Sequence, residues 1–142
     1  MYKHILVPVD LNDKHSWRKA LPTAIRLCEA FQATLHLVTV LPEISSPIVA
    51  QYFPEDYEDK VREHARKALK EFADAQVPDA IECHPVVAEG RIYKMILEVA
   101  KKVSIELIVM GSHTPEISDF LLGPNAAKVV RHATCSVMVV RE

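Results

Sequence analysis

Apolar runs of strand length alternate along this chain with amphipathic stretches of helical length. The runs are Ile5–Val9, Thr34–Val40, Ile81–Ala88, Ile105–Met110 and Ser136–Val140, so the order reads β-α-β-α-β-α-β-α-β. Near-continuous apolar strands must be covered on both faces, and parallel neighbours need a helical crossover between them. The pattern predicts an α/β three-layer sandwich, a five-stranded parallel sheet with helices on both faces and right-handed crossovers. Pro85 removes a ladder donor from the third run and pushes it to a sheet edge. Asp10 and Gly111 each punctuate a buried strand sharply. Placing those two strand ends side by side gives the order 3-2-1-4-5, in one domain over residues 1–142.

The helical stretches carry their own punctuation. Ser16–Phe31 repeats at helical spacing through Trp17, Leu21, Ala24, Ile25, Cys28 and Phe31. Pro22 predicts a bend there, unless the regular part starts nearer Lys19. Leu41–Pro54 is irregular and proline-rich, and reads as a loop able to move. Pro54, Glu55 and Asp56 then suit a helix start, followed by an inward stripe of Val61, Ala65, Ala68, Leu69 and Phe72 and closed by Pro78. Ile92, Met95, Ile96 and Val99 mark a third helix ending in Lys101 and Lys102, and Leu122–His132 a fourth.

In an open sheet of this kind a ligand lies beyond the strand C-terminal ends, where strand order reverses. Of three glycines in the chain, Gly111 and Gly123 frame one segment there. Glycine at a strand end lets backbone approach a ligand closely, and the helix start just beyond offers unpaired N–H groups and a positive dipole end. Folds without a catalytic metal hold phosphates in this way. The candidate nucleotide-binding residues are therefore Asp10, Gly111, Ser112, His113, Thr114, Gly123, Pro124, Asn125 and Ala126, with Pro8, Val9 and Val40 as the wall of an adenine pocket. Asp10 either caps the following turn or faces a ribose or a metal-bridged phosphate. His113 is either a phosphate donor or an exposed loop residue.

Other chemistries find little support. A formal net charge of −2 without a clustered basic face argues against nucleic acid, and the basic stretch Lys60–Lys70 is interleaved with Glu63 and followed by Glu71. Three cysteines without ligand spacing argue against a disulfide framework and for a reducing cytoplasm. No apolar stretch approaches membrane-spanning length. His132 and Cys135 lack a second ligand pair, so no metal site is assigned, and Cys135 is expected to be a small buried residue. No catalytic residue is nominated either, since the helix after Gly123 begins Pro-Asn-Ala-Ala without a P-loop lysine. The short last strand, at an edge, exposes N–H and C=O groups that a two-fold mate would pair, predicting a homodimer through Ser136–Val140.

Taken together, several segments resemble the universal stress protein family. They are Ile5-Leu6-Val7-Pro8-Val9-Asp10, Thr34–Val40, Glu89-Gly90, Ile108-Val109-Met110-Gly111-Ser112, Leu121-Leu122-Gly123, Val129-Val130-Arg131-His132-Ala133 and Cys135-Ser136-Val137-Met138-Val139-Val140. The resemblance implies an adenine-nucleotide alpha-hydrolase-like sandwich, often homodimeric, of which one branch binds ATP over a segment G-x2-G-x9-G-S/T. Gly111 and Gly123 match the first and third glycines of that segment. Thr114 stands at the second glycine, with only eight residues between it and Gly123, and Pro124 at the Ser/Thr position. The implied function is a cytoplasmic stress-response or signalling protein that binds ATP, AMP or ADP, with or without Mg2+, and does not catalyse efficiently. Slow ATP hydrolysis or self-phosphorylation is compatible with it. The alternative is a nucleotide-free dimeric module of the same fold that docks a protein partner.

Overall fold

The strands His4–Pro8 (β1), Thr34–Leu41 (β2), Cys83–Glu89 (β3), Leu107–Gly111 (β4) and Ser136–Val140 (β5) pair in parallel into one sheet, ordered β3-β2-β1-β4-β5. A computed structural model describes residues 1–43, 48, 51–52, 54–112 and 123–141. The helices are Ala20–Phe31 (α1), Tyr57–Gln76 (α2), Ile92–Lys102 (α3) and Pro124–His132 (α4).

Strands that read as unbroken apolar runs serve two cores by alternation. Ile5 and Val7 of β1, Leu35 and Leu37 of β2, and Leu107 and Val109 of β4 pack against Leu21, Ala24 and Cys28 of α1 and Leu69 and Ala73 of α2. Leu6, Val38, Ile108 and Met110 point the other way, against Ile96 and Ala100 of α3 and Ala126 and Val129 of α4. Side chains alternate across a pleated strand, so each face claims every second residue. The third strand lies at the edge, as Pro85 predicts, and among the described residues it pairs with β2 alone.

Two helix starts differ from the periodicity. Asp13 caps a separate 3-10 turn over Lys14–Ser16, its carboxylate accepting the His15 amide, and α1 begins only at Ala20. Pro22 is thus the third helical residue, where no N–H is needed, so the proline removes no bond of the helix. The last helix begins at Pro124 rather than Leu122, because proline fixes φ for the first helical position. Charges suit the helix dipoles, with Glu58 and Asp59 opening α2, Lys101 and Lys102 closing α3, and Arg131 and His132 closing α4. Cys135 is half-buried rather than fully enclosed.

Candidate functional site

Between β1 and β4 the chain order reverses: β1 leads to β2 on one side, while β4 joins β1 on the other through Ile5–Leu107 and Leu6–Ile108 pairing. Beyond their C-terminal ends opens a cleft of about 590 Å³. Ten of the twelve residues nominated from the sequence line it: Pro8, Val9, Asp10, Val40, Gly111, Ser112, Gly123, Pro124, Asn125 and Ala126. His113, Thr114 and much of Leu41–Pro54 lie outside the described residues.

The floor continues the sheet. The Val9 amide donates to the Val38 carbonyl (2.8 Å) and the Ser112 amide to that of Val140 (2.9 Å), so both strand ends stay paired at the cleft mouth. One wall is the turn after β1. Asp10 Oδ1 accepts the Asn12 amide (2.9 Å), and the Asp10 amide donates to Ser16 Oγ (2.9 Å). Ser16 Oγ donates in turn to the Asp13 carbonyl (2.8 Å). Asp10 therefore caps its turn and also faces the cleft.

Gly111 has a different neighbour from the expected one. A Cβ at this position would lie 2.7 Å from the His15 carbonyl oxygen and 3.2 Å from that of Ser16. The close approach that demands glycine is to the chain's own turn. Gly123, by contrast, sits at φ 86° and ψ 156°, a region open essentially to glycine alone, and turns the chain into α4. The Ala127 amide bonds back to the Gly123 carbonyl (3.0 Å). Pro124 contributes no N–H, which leaves the Asn125 and Ala126 amides as the first-turn donors of α4, and both residues line the cleft.

Sequence reasoning missed the rest of the lining: His64, Ala65 and Ala68 of α2 on one side of the sheet, Ile92 and Ile96 of α3 on the other, and Asp13, His15 and Ser16 of the turn after β1. Ala65 and Ala68 belong to the stripe read as core, and their small side chains leave the space the cleft occupies. The top of α2 is tied to the sheet by Arg62, whose Nε donates to Glu89 Oε2 at the end of β3 (2.9 Å). Glu58 and Asp59, both 3.5 Å from the same guanidinium, complete the cluster.

No thiol is activated as a nucleophile among the described residues. Burial pushes Cys28 and Cys83 up to about 11, and raises Cys135 as well. Among the described residues no group of three or more His, Cys, Asp or Glu side chains is arranged to hold a metal ion. His132 stacks on Tyr93 at 6.2 Å between ring centroids. No described helix is long and apolar enough to cross a membrane.

Comparison with known proteins agrees with this geometry. A profile described as the universal stress protein family matches residues 1–141. Universal stress protein G of Salmonella typhimurium is 32% identical over 145 aligned residues, covering 99% of this chain and all of that protein. Among solved structures, the universal stress protein UspA of Lactobacillus plantarum superposes with a TM-score of 0.71 at 26% identity, covering 99% and 98% of the two chains. A universal stress protein solved in complex with cAMP gives 0.60 at 26% identity, covering 99% and 97%. A profile match over nearly every residue, on a sheet of order 3-2-1-4-5 with its cleft at the point of reversal, establishes that this chain belongs to the universal stress protein family.

Proposed function

We propose that the chain binds an adenine nucleotide in the cleft between β1 and β4 and serves as a nucleotide-responsive stress or signalling protein without efficient turnover. One observation carries this reading: the β1 end with Asp10, the β4 end with Gly111 and Ser112, and the start of α4 converge on a single cleft. Val9, Val40 and Ile92 supply apolar surface for the base. The Asn125 and Ala126 amides and the dipole of α4 suit a phosphate. The cleft carboxylates of Asp10 and Asp13 suit a ribose hydroxyl or Mg2+ brought in with a triphosphate. The relative solved with cAMP supports an adenine nucleotide as the ligand class. The reading extends to ATP, AMP or ADP, and to His113 and Thr114 as further phosphate contacts.

Calorimetric titration with AMP, ADP, ATP and ATP with Mg2+ tests the proposal. Saturable heat with at least one of them is expected. No heat and no thermal shift at millimolar ligand would retire it. In favour of a second reading stands Pro124, which puts a ring where a phosphate would find an N–H. On that reading the sandwich docks a protein and the cleft holds no nucleotide.

The homodimer through β5 belongs to the same proposal. This edge strand exposes Ser136 and Met138 and half-buries Val137, Val139 and Val140. An edge with such side chains invites a two-fold mate. Light scattering on the eluting protein should give twice the chain mass, and a stable monomer at micromolar concentration would contradict it.

A further inference from the structure

Three histidines stand on consecutive strands of the sheet face that α3 and α4 cover: His4 on β1, His36 on β2 and His84 on β3. Register pairs His36 directly with His84, while His4 lies one step diagonal, beside Leu6, the β1 partner of His36. His4 Nδ1 and His36 Nε2 are 3.1 Å apart. The rings follow one another at centroid distances of 5.3 Å and 5.4 Å. His36 is 6% exposed, His4 half-buried and His84 exposed. All three lie near the strand starts, away from the cleft.

The row tolerates neutral rings and resists charge. While both are neutral, one nitrogen of the His4–His36 contact donates and the other accepts. His36 Nδ1 is buried with no hydrogen-bond partner among the described residues. A protonated His36 would be a donor at both nitrogens, burying one N–H without an acceptor. The other N–H would point at His4 Nδ1, which accepts only while His4 is neutral. Burial first, then His4 and His84, disfavour the charged ring, and Glu82 alone opposes them. That carboxylate is shared, accepting from Thr34 Oγ1 (3.0 Å) and lying 3.4 Å from His84 Nε2. Glu106 is engaged by the backbone amides of Lys3 (2.7 Å) and His4 (3.2 Å). Helix α3 meets the sheet with Ile96 and Ala100, and its Lys94, Glu98, Lys101 and Lys102 are exposed. Helix α4 meets it with Ala126 and Val129.

We propose that the His4–His36–His84 row is an acid-sensitive latch on edge strand β3, packing β1, β2 and β3 together when neutral and releasing β3 when mildly acidic medium charges it. Strand β3 is the element to yield, because among the described residues it pairs on one side only and Pro85 offers no N–H. Release reaches the cleft through Glu89, the β3 anchor of Arg62 on α2. The sign follows from linkage. Freed from packing, His36 regains the ordinary imidazole affinity near 6.5, whereas packed it lies lower. The released form then binds more protons below 6.5, so stability is lost as pH falls through that value, until packed His36 itself titrates.

Hydrogen exchange of the Val86–Ala88 amides at about pH 7.5 and pH 5.5, corrected for intrinsic exchange, tests the latch. One linked proton gives up to about tenfold lower protection per pH unit. His36→Asn, neutral at both pH values, should abolish that drop. The exposed change His84→Gln removes one repelling charge and should shrink it, which serves if His36→Asn does not fold. Nuclear magnetic resonance of the wild-type rings gives a third readout, with His36 titrating below the free imidazole. An equal drop in wild type and His36→Asn would overturn the proposal. So would an undiminished drop in His84→Gln, or His36 titrating at or above the free value.

Discussion

Gly111→Ala separates two reasons for a glycine at the end of β4. If glycine is needed there for a ligand to approach, alanine leaves the free protein untouched and weakens only the complex. The structure assigns the crowding to the chain itself, with an added Cβ meeting the His15 and Ser16 carbonyl oxygens at 2.7 Å and 3.2 Å, inside ordinary contact distance. Neither partner can retreat easily. Strand β4 is held between β1 and β5. The turn is pinned by Ser16 Oγ to Asp10 and Asp13, and by the Asp13 amide on the Asp10 carbonyl (3.0 Å). Forcing extra volume into such a contact costs about 1–3 kcal/mol. For a chain of this size that lowers Tm by roughly 3 °C per kcal/mol, so about 3–9 °C. The assay is a calorimetric melt in nucleotide-free buffer. A Tm within about 1 °C of wild type would refute the reasoning. Ser16→Ala, which unpins the turn, should make the alanine at 111 less costly, with a coupling of about 0.5–3 kcal/mol in a double-mutant cycle. Strict additivity would mean that something other than the turn resists the methyl group.

Other perturbations address the remaining parts. Gly123→Ala should cost about 1–3 kcal/mol in urea unfolding, since φ 86° with ψ 156° excludes a Cβ. Unchanged stability would mean that α4 starts elsewhere. Ile96→Ala removes a fully buried side chain beneath the cleft and should cost about 2–5 kcal/mol by the same measurement. Met138→Lys places a charge on the exposed edge of β5 and should convert the proposed dimer to monomer in light scattering while leaving the monomer folded. Cys28 and Cys83, pushed up to about 11 by burial, keep their protons at neutral pH; buried Cys28 should alkylate only on unfolding, and half-buried Cys83 more slowly than a free thiol. Their raised values stabilise the fold below the ordinary thiol value of 9.0, and that contribution disappears as pH climbs from 9.0 to about 11. Rapid alkylation of Cys28 in the folded protein at pH 7.5 would contradict its burial.

What could be read before folding, and what could not, divides by the range of the interaction. Pro85 disclosed the position of β3 because a missing N–H is a property of one residue, and the parallel sheet followed from strands apolar on both faces. Periodicity alone leaves the start of α1 open between Ser16 and Lys19, because Trp17 and Leu21 keep helical spacing across a break that Asp13 and Ser16 create through hydrogen bonds to neighbours. The helix starts at Ala20, next to Lys19. At the site, strand ends and a helix start are local signals, so Asp10, Gly111 and Gly123 could be nominated. The cause of Gly111 could not, since its crowding partner is the backbone of residues 15 and 16, joined to it only by the sheet. His64, Ala65 and Ala68 look like any inward helix stripe until α2 is laid across the strand ends. The histidine row is the extreme case. Its members lie on separate strands and none carries a local signal. Strand order and register together bring them into line, and once they are in line the cost of charging one ring is set by the other two. A property of this kind arises from the assembled sheet, so substitutions at His4 or His84 should alter the behaviour of His36 without touching its own strand.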